Sequence, residues 1–187
     1  MNVYARFINR RDALLLIVDI QKVMFDLCVG KDRVKKNIEA LIDLANTLEF
    51  PIIFTEHNAE KLGQFDSSLI QKSPDSPVLN KTEFSCLGNE NIREKITKTG
   101  KKTIIMAGIE SHVCIFQTGA HAISEGYDLH VVSDAVSART DFNMTIGINR
   151  LKQAGAVITS TEMVIFELLL KAGTHDFKKM LPIIKTL

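Results

Sequence analysis

Unbroken apolar runs and stretches of helical periodicity alternate along the chain. Residues 13–20, ALLLIVDI, form a run with almost no polar interruption, the pattern of a strand buried on both faces, and Asp19 stands at its end. Across residues 33–48, Val34, Ile38, Leu41, Ile42, Ala45 and Leu48 fall on one helical face, and Phe50-Pro51 breaks the helix. Residues 52–55 predict a second strand that runs out into Glu56-His57-Asn58. Residues 58–80 have weak periodicity and carry Ser73-Pro74-Asp75-Ser76-Pro77, which predicts a surface excursion with one helical turn near 67–71. Val78–Lys81 is a short strand, and Asn89 caps a helix to Lys98.

The apolar run 103–107 is the next strand, punctuated by Gly108. A polar turn, Glu110-Ser111-His112, follows it. From Val113 the period changes: Val113, Phe116, Gln117, Ala120 and Ile123 recur at helical spacing until Gly126 stops them. Residues 129–133 form a strand ending at Asp134, residues 143–154 a helix closed by Gly155, and residues 156–159 the last strand. Thr161 caps a helix through Lys171, and an amphipathic helix over 176–185 is interrupted at Pro182. Alternating strands and helices with near-continuous apolar strands predict a parallel sheet with helices on both faces. The 187 residues suit one domain, with no repeat and no linker to divide it.

In such folds ligands bind beyond the C-terminal ends of the strands. Asp19, His57, Lys81 and Cys114 all fall there. Cys114 lies in the first turn of a helix after a buried strand, where unpaired N–H groups and the helix dipole favour an anion and lower a thiol pKa. Its bland alternative is a small buried hydrophobe. For Asp19 and Lys81 the alternative is a structural ion pair at the sheet edge.

Composition narrows the classes. A net charge of +1, with no basic or acidic block, gives no footprint for nucleic acid. No apolar run reaches the roughly 18 residues that span a bilayer. The N-terminal run is short, holds Asp19 and lacks a small-residue cleavage site, so it is a core strand rather than a signal peptide. Three widely spaced cysteines without CxxC fit reduced thiols in the cytoplasm. A GxGxxG phosphate turn is missing after the first strand, which excludes a dinucleotide-binding module.

LLLIVDIQ with Asp19, NKTEFSC with Lys81 and AGIESHVC with Cys114 resemble, in order and spacing, the three signatures of the isochorismatase-like cysteine hydrolases. The resemblance runs from about Arg11 to the C-terminus, with a motif-bearing core of about 11–175. TEHNAEKLG, KTEFSC and GIESHVCIFQTG are most similar to the YcaC-like and isochorismatase-domain subgroup. The resemblance implies a six-stranded parallel sheet in a three-layer, Rossmann-like α/β/α sandwich. It also implies a catalytic triad at Asp19, Lys81 and Cys114, a cis peptide at Ile109-Glu110, and an oxyanion hole from the N–H groups of Glu110 and Cys114. In it Cys114 is the nucleophile, Lys81 lowers its pKa and Asp19 moves the proton, so that a small-molecule amide is cleaved through an acyl-enzyme.

Isochorismate-cleaving members lack the cysteine, which turns the expectation toward C–N hydrolysis. Nicotinamidase-type members hold a metal through Asp-x-His after the second strand. Here that place is Glu56-His57-Asn58, so neither metal nor cofactor is expected. The expected pocket wall is Phe25, His57, Phe84, His112 and Ile115, with ordinary core packing as the other reading of Phe25 and Phe84 and a surface loop position as that of His57. Cys28 and Cys86 read as packing residues, with oxidation sensitivity the other reading of Cys86 beside the Lys81 motif, and Asp134 either caps the turn at Ser137 or binds substrate. The resemblance further implies a homo-oligomer (dimer, tetramer or octamer), and the apolar helix around Met163 to Leu170 agrees with it. A non-catalytic binding or scaffold protein on the same fold is the alternative class.

Overall fold

The computed structural model describes residues 6–187; the first five residues of the expected 1–187 domain lie outside the described residues. Six strands form one all-parallel sheet: β1 Ala13–Val18, β2 Ile52–His57, β3 Val78–Lys81, β4 Thr103–Ile109, β5 Asp128–Ser137 and β6 Val157–Thr159, in the order β3-β2-β1-β4-β5-β6. The helices are α1 Lys22–Phe25, α2 Lys31–Leu48, α3 Ala59–Leu62, α4 Ser67–Ile70, α5 Glu90–Lys98, α6 Cys114–Ser124, α7 Asp141–Ala154, α8 Thr161–Leu169 and α9 His175–Ile184.

The central strand β1 shows why the pattern demanded two helical layers. Every residue in it is buried. Leu15 and Ile17 join the core under α2, α8 and α9, while Leu14, Leu16 and Val18 join the core under α5, α6 and α7. The connections diverge from β1, toward β2 on one side and β4 on the other. This is the switch point at which open parallel sheets take up ligands. β4 packs against β1 through Gly108, where φ is 119° and a Cβ would come within 2.1 Å of the Val18 carbonyl oxygen. Gly108 therefore does not end the strand: it lets β4 continue to Ile109 at close quarters with β1.

Other boundaries moved for local reasons. The excursion after β2 holds two short helices, α3 and α4, and the loop after β1 coils into α1. Strand β5 runs past Asp134 because a bulge sets Met106 opposite Val131 but Gly108 opposite Val136. Asp134 thus sits inside the strand. It accepts from the Thr161 N–H at 2.8 Å and the Thr161 hydroxyl at 2.9 Å, so it anchors the start of α8 rather than the Ser137 turn. The N-cap of α8 is Ser160, one residue before the expected Thr161. Helix α9 continues through Pro182 in its last turn, where the proline leaves out the N–H that would donate to the Lys178 carbonyl, so the sequence interruption does not end the helix. Among the described residues, no helix is long and apolar enough to cross a membrane.

Candidate active site

Four strand ends meet at the switch point. Asp19 leaves β1 with a left-handed backbone, φ 56°, and turns its carboxylate across the top of the sheet. Its Oδ1 accepts from the Thr55 hydroxyl of β2 at 2.8 Å, and its Oδ2 accepts from Lys81 Nζ of β3 at 2.5 Å. Lys81 is 1% exposed, so its whole stem crosses the core to reach this place. The same Nζ lies 3.6 Å from Cys114 Sγ, the first residue of α6. The motifs expected to make a triad therefore converge within hydrogen-bond range.

Electrostatics adjusts the expected roles. Burial by itself would lower the Lys81 pKa; the Asp19 carboxylate, which also accepts its hydrogen bond, leads the effects that outweigh burial and hold the ammonium above its usual value. Burial also pushes the Cys114 thiol up, and the Asp19 carboxylate adds to that while Lys81 opposes it. This reverses the expectation of a lowered thiol pKa. In the resting site desolvation and the adjacent carboxylate outweigh Lys81, which favours the protonated thiol.

These groups floor a pocket of about 90 Å³. Ligand pockets are commonly about 300–1,000 Å³, so this one admits only a compact molecule. Ile109 and Glu110, joined by a cis peptide, form one wall. Among the described residues no protein acceptor is found for the N–H of Glu110 or of Cys114, and both residues line the pocket. The Glu110 carboxylate turns aside and accepts from Arg139 Nε at 2.9 Å. His57 closes the opposite side with its ring stacked on Phe84, centroids 5.4 Å apart and planes 16° from parallel.

The Isochorismatase domain family matches residues 13–163, more than three quarters of the chain. The chain belongs to the isochorismatase family. It is 35% identical over 177 residues to the secreted isochorismatase effector Isc1 of Phytophthora sojae, covering 92% of this chain and 84% of that protein. The YcaC protein of Escherichia coli, described as an octameric hydrolase of unknown specificity, superposes with a TM-score of 0.90 at 28% identity, covering 97% of this chain and 94% of that one. YcaC from Pseudomonas aeruginosa, solved with hexane-2,5-diol and covalent acrylamide, gives a TM-score of 0.90 at 26% identity over 97% and 95% of the two chains. The six-stranded sandwich is the family fold, and the protein is a hydrolase of the isochorismatase family.

Not every expected pocket residue reaches the isochorismatase site. Phe25 is 6% exposed within the core; on the short helix α1 it is its neighbour Met24 that lines the pocket. Ile115, one position beyond Cys114, is turned by the helix into the apolar layer. His112 is outside the lining too: its turn packs on α7, where Gly147 lets the Ser111 carbonyl approach closely. Phe84 departs from the core-packing reading, being half exposed at the pocket mouth. Sequence reasoning missed Gln21, Met24, Leu62 and Val113 in the lining, and Thr55 behind Asp19. Gln21 accepts from the His57 N–H at 2.6 Å and donates to the carbonyls of His57 at 3.0 Å and Gly63 at 2.6 Å, tying β2 to the loop beyond it. Only its place directly after Asp19-Ile20 could have pointed to it.

Asp19, His57 and Cys114 each offer an atom within 4.8 Å of the others, a spacing that would suit a metal ion. The Lys81 ammonium touches two of the three groups, which makes the site a poor home for a divalent cation.

Proposed function

We propose that the protein is a cysteine hydrolase that cleaves a C–N bond in a small amide through a Cys114 acyl-enzyme. The observation that carries this reading is the buried contact of Lys81 Nζ with both Asp19 Oδ2, 2.5 Å, and Cys114 Sγ, 3.6 Å, beneath the floor of the pocket. Asp19 takes the thiol proton as sulfur attacks the carbonyl carbon. The oxygen gains negative charge, and the free N–H groups of Glu110 and Cys114 hold it. The C–N bond then breaks as Asp19 returns the proton to nitrogen, and the amine departs. Water attacks the thioester, giving a proton to Asp19. The C–S bond breaks, the acid leaves, and Asp19 returns that proton to sulfur. Lys81 offsets the Asp19 carboxylate through their ion pair and balances the thiolate when it forms.

The raised thiol pKa is consistent with this cycle, because the proton has a receiver in the Asp19 carboxylate, within 4.8 Å of the sulfur, and needs no release to water. The covalent acrylamide in the Pseudomonas relative lends support from a related protein. The test is ammonia release from a panel of small amides, with intact-mass detection of acylated protein. Wild type should release ammonia and carry a transient acyl mass, and Cys114→Ala should do neither. Full turnover by Cys114→Ala would overturn the assignment, and an unreactive Cys114 would favour the scaffold reading.

The assembly we propose is a homo-oligomer, supported by the octameric relative and by exposed Phe7, Met163, Phe166 and Leu170 on one side of the sandwich. A cytoplasmic location rests on the three free cysteines alone, and one relative is secreted.

A further inference from the structure

We propose that the pocket selects an uncharged primary carboxamide with a short apolar acyl group, and that His57 Nδ1 accepts a hydrogen bond from its N–H2. This rests on the C–N hydrolase reading above and names the substrate class for that site.

Charge comes first. The lining carries two carboxylates, Asp19 and Glu110, and each already has a cation, Lys81 and Arg139 respectively. Among the described residues no lysine or arginine lines the pocket, since Lys81 lies beneath the floor and Arg139 outside the wall. A bound carboxylate would therefore be desolvated beside two carboxylates with no partner of its own. A bound ammonium would find both acids engaged. Either ion would leave water for walls made by Met24, Leu62, Ile109 and Val113.

His57 supplies the polar contact. Burial lowers its pKa, and Lys81 lowers it further, so the imidazole is neutral at neutral pH and keeps one lone pair. Its Nδ1 is buried with no protein partner, an arrangement that costs free energy unless a ligand completes it. A ring nitrogen lies within 4.8 Å of both the Asp19 carboxylate and Cys114 Sγ. A carboxamide whose carbon sits over the sulfur thus places its nitrogen between His57 and the proton carrier. Phe84, stacked on the outer face of the imidazole, holds the ring in that orientation.

The test uses three small electrophiles that add to a thiol: acrylamide, acrylate and methyl vinyl ketone. In each, sulfur bonds to the terminal alkene carbon and the thiol proton goes to the neighbouring carbon, with no co-reactant. Labelling of Cys114 is followed by peptide mass spectrometry and normalised to the rate with glutathione, with Cys28 and Cys86 as internal references. Acrylamide should label Cys114 at least tenfold faster than acrylate. His57→Phe, which keeps a ring to stack on Phe84, should slow acrylamide about tenfold and leave methyl vinyl ketone, which has no N–H, within twofold. His57→Gln should recover part of the loss. Equal normalised rates for acrylate and acrylamide would overturn the charge selection. An unchanged acrylamide-to-ketone ratio in His57→Phe would overturn the role of His57. Both results leave the nucleophile standing. Failure of all three reagents at Cys114 in wild type would instead remove the nucleophile, and this inference with it.

Discussion

The sheet buries titratable groups near both of its ends, and it treats them in opposite ways. At the C-terminal end Asp19, Lys81 and Cys114 are buried together, each in contact with another, under a pocket. Near the start of β5, His130 is fully buried with neither ring nitrogen hydrogen-bonded. Its nearest carboxylate, Asp128 at 3.5 Å, is already paired with Arg6, so burial dominates and lowers the His130 pKa to about 4. Burial of an ionisable group is therefore no mark of a site by itself. What separates the two places is mutual pairing, an opening to solvent, and groups left free to receive a ligand.

The largest expected effect breaks the first cluster chemically. Cys114→Ala or Asp19→Asn should reduce amide turnover by about 10³-fold or more, since each removes a group that forms or breaks a bond in the cycle. Replacing His130 should leave turnover within about twofold. Steady-state ammonia release checks both.

Next comes the energy of the pair itself. Lys81→Met leaves Asp19 buried with only Thr55 as partner, and Asp19→Leu leaves the Lys81 ammonium unpaired. Each single change should cost about 3–5 kcal/mol in denaturant unfolding. The double variant should recover most of that loss and no activity. Additive costs would show that the ion pair is not the reason these residues tolerate burial.

His130 should act through pH. Above pH 6.5 both folded and unfolded chains hold it neutral. As pH falls from 6.5 toward about 4 only the unfolded chain takes the proton, so stability falls with the acid; below about 4 both states are protonated and the loss is complete. The whole contribution is roughly 3 kcal/mol. His130→Phe should flatten that part of the stability curve, and a curve parallel to wild type from pH 7 to 4 would refute the assignment.

The same contrast explains what could be read along the chain. Asp19 was conspicuous because a carboxylate ended an apolar run, and Lys81 and Cys114 because they stood at the ends of a strand and a loop. The parallel sheet with a helical layer on each face followed from unbroken runs such as LLLIV and from the face pattern of α2, whereas the order β3-β2-β1-β4-β5-β6 is set by long-range pairing that no local pattern carries. His130 was invisible: within an apolar strand its burial depends on which face β5 presents and on Arg6 holding Asp128. Thr55 and Met24 carried no signal either, since the role of Thr55 arises from Asp19, 36 residues away, and that of Met24 from helical rotation, while Val113, read as a helical position, lies just before α6 and lines the pocket. The fate of Phe25 shows the limit most clearly. Adjacent residues on one turn face different ways, and only the packed helix decides which meets the pocket.

The smallest expected effect concerns Thr55, which belongs to the first cluster only through Asp19. It is fully buried, and its hydroxyl donates to Oδ1 at 2.8 Å, leaving Oδ2 for Lys81. It also lies 3.7 Å from Cys86 Sγ, whose thiol burial raises to about 11, so Cys86 stays neutral and packs rather than competing for the proton. We predict that Thr55 is a positioning residue, its hydroxyl holding the Asp19 carboxylate in place beside Lys81. Thr55→Val keeps the shape and removes the donor, which should cost about 1.5–3 kcal/mol through a hydrogen bond to a charged group. If that hydrogen bond serves only the fold, stability alone should fall and kcat should hold. If it aims Asp19, kcat should fall about tenfold with KM little changed, and Thr55→Ser should restore it.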